Sequence, residues 1–243
     1  MGKRQKIINI ILEFAVFVFA FIGVVFTSFG VSGLMTGTSI LYYTVQSNIW
    51  IGLTCLTFAI LRLINYHRDD FIIPTWLFIV KYVFVVAITL TMVVFWFLLA
   101  PTIQLPSYFL SPSNLFAHTL TPLAAIISFL AFDSRAYQIP KKCSLLSLTT
   151  PLYYLFFAII CSVAGVRFAI YQLPYFFLNF FEFGWFGFNR FSEAYGFASF
   201  GVFYWIVLIL IFIFLLGFGY VFLNRLIFRK VHQSKSVLFD KNI

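Results

Sequence analysis

The residues Leu41 to Asn48 read Leu-Tyr-Tyr-Thr-Val-Gln-Ser-Asn and open an apolar run that continues to about Ile64. Thr44, Gln46, Ser47 and Asn48 are polar groups inside a stretch long enough to cross a bilayer. In hydrocarbon such groups are costly unless they find partners. On a helix Thr44, Ser47 and Asn48 fall at i, i+3 and i+4 and share one face, while Gln46 points elsewhere. His118, the one histidine inside an apolar segment, is the natural partner for that face. A hydroxyl becomes a nucleophile when a base takes its proton, and a neutral imidazole suits that task at physiological pH. Ser47 and Asn48, one turn from Thr44, are candidate donors to an oxyanion. The parts of an acyl-transfer or ester-hydrolysis site are therefore present, without a carboxylate as third member. Interhelical hydrogen bonding is the commoner use of such groups, and spacing alone favours it over catalysis.

The elements that must hold these residues are membrane helices. The chain has 243 residues, 63% of them apolar and only 9% charged, with a mean hydropathy of +1.02. A soluble domain is nearer a quarter charged. We expect an all-α polytopic integral membrane protein forming one domain over 1–243. Six spans are marked at about 7–29, 39–64, 74–100, 112–132, 143–170 and 197–228. The basic N-terminus followed by an apolar run resembles a signal peptide, but the run is too long and is read as a retained first span.

Lys and Arg set the orientation. One set of ends carries 13 of the 16 basic residues, the other carries Arg167 and Arg190, and Lys81 lies within span three. Both termini are expected to be cytoplasmic. The net charge of +9 is concentrated at span ends, so topology and anionic headgroups explain it and no nucleic-acid partner is expected. Three scattered cysteines and three distant histidines show no metal or redox spacing, and no Gly-rich phosphate loop occurs. Neither a metal nor another cofactor is expected.

Depth along the helices brings two pairs to matching levels. Thr44 lies roughly 7–8 Å and His118 roughly 9 Å from the outer edge at the helical rise per residue. Glu13 and Lys81 lie about 9 Å and about 10 Å from the inner edge, which suggests a structural ion pair fixing helix registry, although Lys81 could also snorkel. Span four carries a seam of small and polar residues, Asn114, His118, Thr121, Ala125 and Ser128. Pro122 lacks an N–H, so in a regular α-helix the His118 carbonyl loses its partner and a kink is expected there.

The outer connections 30–38 and 101–113 read as short uncharged turns. The third, Tyr171 to Gly196, carries eight phenylalanines and is expected to lie in the outer interface as one or two short helices. It reads as an aromatic belt or as a lid over a cavity. Arg167 is an interfacial anchor or a contact for an anionic lipid head group.

The six spans, the Tyr-Tyr-Thr-Val-Gln-Ser-Asn stretch and the Asn-Leu-Phe-Ala-His-Thr-Leu-Thr-Pro stretch resemble the androgen-induced-gene-one family, and most closely its bacterial six-span branch. The eukaryotic members are intramembrane threonine hydrolases of fatty acid esters of hydroxy fatty acids. The resemblance implies Thr44 as nucleophile, His118 as base, a membrane lipid or acyl chain as substrate, and residence in a bacterial plasma membrane. The rival expectations are lipid binding or transport in the same cavity, and a non-catalytic membrane scaffold.

Overall fold

The structure, a computed structural model, describes residues 3–29, 38–68, 71–102, 111–168 and 171–240, with side chains to 233 in the last. It is all-α, with six helices long and apolar enough to cross a membrane. These are α1 (Lys3–Phe29), α2 (Tyr43–Ile64), α3 (Thr75–Leu99), α4 (Pro112–Ala136), α5 (Lys141–Val163) and α6 (Val202–Asp240).

The helices are organised around α3. Phe78, Tyr82, Val85, Val86 and Ile88 are all essentially inaccessible on it, and it contacts α2, α4, α5 and α6. α1 packs along α2 and against α4. On α6, Ile211, Leu215, Phe218 and Phe222 are exposed. Their i, i+4, i+7, i+11 spacing makes a continuous apolar stripe, which in a membrane protein faces lipid tails. Asn224 of α6 does the opposite: its Oδ1 accepts from Ile139 N–H at 2.8 Å and its Nδ2 donates to the Tyr137 carbonyl at 2.9 Å. It clamps the loop between α4 and α5.

Three π-helical turns interrupt the spans, at Phe95–Leu99 in α3 and at Phe116–Leu120 and Ser128–Asp133 in α4. Each adds a residue to its turn and re-aims the side chains around it. These turns carry Phe95, His118, Ser128 and Asp133, which recur below.

Several boundaries differ from the sequence reading. α1 already begins at Lys3. The second span is entered through a 3₁₀ turn, Ser39–Leu41, and an extended Tyr42, so its α-helix starts at Tyr43. α5 begins as a 3₁₀ stretch over Lys141–Leu148 and ends at Val163, short of 170. Gly165, at φ +79°, follows in a left-handed conformation that breaks the helix. Residues 197–199 belong to a strand and not to the last span. Strands β1 (Arg190–Ser192) and β2 (Phe197–Ser199) form an antiparallel hairpin.

The segment 171–196 therefore holds a hairpin arm as well as the short helical turns Phe176–Leu178 and Phe180–Phe183. Phe176, Phe177 and Phe183 are buried. Phe176 meets Phe183, Phe197 and Trp205 in edge-on ring contacts. Much of this segment is a packed aromatic cap on the end of the bundle, seated on α6. Of the connections read as turns, residues 30–37 and 103–110, including Pro106, lie outside the described residues.

Candidate functional site

The N-terminus of α2 leaves backbone N–H groups without helical partners. Val45 and Gln46 N–H groups turn back to the Tyr42 carbonyl at 3.1 Å. The phenol of Tyr175, brought over by the aromatic cap, stands beside Thr44, near both its backbone and its side chain. Burial pushes the Tyr175 phenol up to about 12. Tyr175 also packs edge-on against Tyr42, with ring centres 6.1 Å apart. Tyr154 of α5 donates to the Leu41 carbonyl at 3.0 Å, and Tyr43 donates to Thr150 Oγ1 at 3.0 Å.

Thr44 and Tyr175 stand in the wall of a cavity between α2, α3, α5, α6 and the cap. The cavity encloses about 660 Å³ of empty space, part of it open to the exterior. Apart from Thr44, Thr91 and three tyrosines, its wall is aliphatic or aromatic, with Leu155, Phe177 and Ile206 among the lining side chains. A wall of this kind, with a few polar groups at one place, suits an acyl chain with one polar function.

The rest of the α2 polar face is spent on neighbouring helices. Ser47 Oγ lies 2.8 Å from Thr91 Oγ1 on α3 and 3.1 Å from the Thr44 carbonyl. Asn48 Nδ2 donates to the Thr44 carbonyl at 2.8 Å and to the Ala117 carbonyl of α4 at 3.1 Å. Both amide hydrogens of Asn48 are thereby used, so it has none left for an oxyanion. Gln46, as its separate position on the helix suggests, donates to the Ile40 carbonyl instead.

The Asn48 contact explains the break in α4. In the π turn, the Thr121 N–H bonds to the Phe116 carbonyl, five residues back. The next donor in that register is Pro122, which has none. The orphaned carbonyl is therefore that of Ala117, one residue before the His118 carbonyl expected from regular α geometry, and Asn48 satisfies it. Phe95, in the π turn of α3, stacks on the His118 ring with centres 3.8 Å apart and an 11° tilt.

His118 is buried. Its ring lies close to the Thr91 backbone, and its Nδ1 has no hydrogen-bond partner. His118 does not line the cavity, and the structure gives no hydrogen bond between His118 and Thr44. Thr91 stands between them: it lines the cavity, bonds Ser47 and adjoins the imidazole. Asn114 is buried near the start of α4, where its N–H lies 3.4 Å from the Ser111 hydroxyl. Thr121 is fully buried, and its Oγ1 has no partner. Arg167 lies beyond the end of α5 and is exposed, away from the cavity wall.

At the other end of the bundle, Lys81 Nζ lies 2.8 Å from Glu13 Oε1. The pair belongs to a larger group. Lys81 also lies 2.7 Å from Asp133 Oδ2, and Arg62 bridges Glu13 at 3.1 Å and Asp133. Ser128 Oγ accepts from Lys81 at 3.1 Å. Two cations and two carboxylates from α1, α2, α3 and α4 neutralise one another in a buried quartet, with Lys81 4.4 Å from the centre of the Phe58 ring. Among the described residues, no group of three or more His, Cys, Asp and Glu side chains could hold a metal ion.

Sequence reasoning missed Tyr175, Thr91, Arg62 and Asp133 as members of these groups. Thr91 was findable, as a polar residue within the third span at the level of Ser47. Asp133 and Arg62 were findable as opposite charges near the same membrane edge. Tyr175 carries no local signal, because only the tertiary fold of the cap brings it to α2. The chain matches no protein-family model, no curated protein and no solved structure.

Proposed function

We propose that this chain is an intramembrane lipid-ester hydrolase in which the acyl chain of the substrate occupies the apolar cavity and the ester carbonyl meets Thr44. The observation that carries this reading is the presence of Thr44 in the wall of that cavity. The resemblance of the two motif stretches to the androgen-induced-gene-one family points the same way. In the reaction, Thr44 Oγ attacks the ester carbonyl carbon and His118 accepts the hydroxyl proton. The tetrahedral intermediate collapses, and the leaving alcohol takes that proton from the imidazolium. Water then cleaves the acyl-threonine by the reverse proton path. The imidazole must reach Thr44 directly or through one water, and such contacts often tighten only with substrate bound. The Nδ1 of His118 has no hydrogen-bond partner in the protein. Tyr175, beside Thr44, takes over from Asn48 as the donor for the oxyanion. The basic ends of the helices fit a protein with cytoplasmic termini in a bacterial plasma membrane.

A second reading is favoured by the lack of a direct hydrogen bond between Thr44 and His118: the cavity binds or carries a lipid without cleaving it. Labelling of the purified protein with a fluorophosphonate probe tests the two. The hydrolase reading expects labelling that Thr44→Ala and His118→Ala each abolish while folding is retained. Unlabelled wild-type protein that co-purifies with lipid overturns it in favour of binding.

A further inference from the structure

A second recess lies at the other end of the bundle from the acyl cavity, beside the buried quartet. It holds about 720 Å³ of empty space, part of it open to the exterior. Lys6 from α1, Arg62 and Asn65 from the end of α2, Arg68 just beyond it, and Tyr137 after α4 converge on it. None of its described lining residues is acidic; Asp69 and Asp70 lie outside the described residues. Arg62 is held by Glu13 and Asp133, so it is pre-positioned at the recess floor with its side chain only 13% accessible. Tyr137 accepts from the Ile73 N–H at 2.7 Å, which leaves its own hydrogen to donate. Beside the recess the surface turns apolar: Ile64, Ile72 and Trp76 are 74%, 72% and 66% exposed.

Cations at span ends are expected in membrane proteins without any ligand. Here, however, Lys6 and Arg68 flank a concave site with amide and phenol donors; the Arg62 guanidinium at its floor, its charge balanced within the quartet, adds N–H donors, and an apolar wall adjoins the site. That combination matches a phosphate group with hydrocarbon attached: the phosphate among the cations and donors, the chains along Ile64, Ile72 and Trp76. Tryptophan at headgroup level is the usual marker of this depth. We propose that this basic recess binds the phosphate of an anionic ligand, in the membrane the headgroup phosphate of an anionic phospholipid. The site is separate from the acyl cavity and stands whether or not Thr44 is a nucleophile.

The test uses the full-length protein in micelles doped with phosphatidylglycerol or phosphatidylcholine, with retained lipid counted by native mass spectrometry. A parallel arm measures the thermal midpoint with and without inorganic phosphate. The expected result is preferential retention of phosphatidylglycerol, falling about tenfold or more in Lys6→Gln/Arg68→Gln. Arg68→Gln alone, at an exposed position past the helix end, gives a smaller drop in the same direction and guards against a folding defect in the double variant. Arg62 is left intact because the quartet needs it. Retention of phosphatidylglycerol unaffected by inorganic phosphate assigns the site to lipid. A phosphate-dependent rise in midpoint, lost in the double variant and without lipid preference, assigns the same chemistry to free phosphate. Equal retention of both lipids with no phosphate effect, or a preference that survives both variants, overturns the proposal.

Discussion

Asn48 Nδ2 donates to the carbonyl oxygen of Ala117 at 3.1 Å, and that carbonyl is the one Pro122 leaves without a backbone donor. A side chain of α2 thus completes the hydrogen bonding of a break in α4. The same amide holds the Thr44 carbonyl, so it ties the proposed nucleophile's turn to the proposed base's turn. Asn48→Ala leaves a buried acceptor unsatisfied, at an expected cost of about 1–3 kcal/mol. In a Pro122→Ala background an N–H returns at position 122, and the cost of Asn48→Ala should shrink by about 1 kcal/mol. Thermal or denaturant unfolding of the four proteins of this cycle in detergent measures the difference. An equal cost in both backgrounds contradicts the assignment of the orphan carbonyl.

The quartet gives a second expectation. Its formal charges sum to zero, two carboxylates against two cations, and Lys81 touches both acids. Lys81→Met strands buried carboxylates and should cost about 3–5 kcal/mol. Glu13→Gln/Lys81→Met removes one charge of each sign and should recover part of that loss. A Lys81→Met protein as stable as wild type, compared by denaturant midpoint, would mean that the carboxylates lose their charge freely or find water.

The contrast between these two groups explains how far the sequence could be read. The spans and the Glu13–Lys81 level follow from helical rise and hydropathy, which are local and periodic. What the sequence hid is rotational and tertiary. A π turn before Pro122 moves the orphan carbonyl from His118 to Ala117, a one-residue shift that composition does not encode. Depth matching placed Thr44 and His118 together, but it cannot say which helix faces separate them, and Thr91 turned out to stand between. The cap residues 171–196 are too uniformly aromatic for periodicity to distinguish hairpin from helix. Tyr175 therefore reached Thr44 through an arrangement that no spacing rule contains.

Tyr175 and Tyr195 give the cap a pH dependence. Burial raises both phenols from 10 to about 12. A group whose folded value exceeds its unfolded value contributes stability below the unfolded value and loses it as pH rises through the folded one. The cap should therefore be unaffected below about pH 10 and loosen as pH climbs toward about 12. Tyrosinate absorbance and thermal midpoint, followed together over that range, should change in step, and Tyr175→Phe should shrink the change. Ionisation without any loss of midpoint would show that these phenols ionise as readily in the folded cap as in the unfolded chain.

Gly23 tests the packing that presses α1 onto the π turn. An alanine within a helix ordinarily stabilises by about 0.5–1 kcal/mol relative to glycine. A Cβ at Gly23 would stand 2.9 Å from the backbone nitrogen of Ala117 and 3.1 Å from its Cα. Those are backbone atoms of the turn that carries His118, and they cannot swing aside as a flexible side chain can. The usual sign should therefore reverse: Gly23→Ala destabilises, and Gly23→Val does so more. The strain should also fall on the Asn48–Ala117 bond, so Asn48→Ala should cost less in the Gly23→Ala background than in wild type. A stabilising Gly23→Ala, measured by unfolding in the same detergent, would show that α1 and α4 separate at this level without cost.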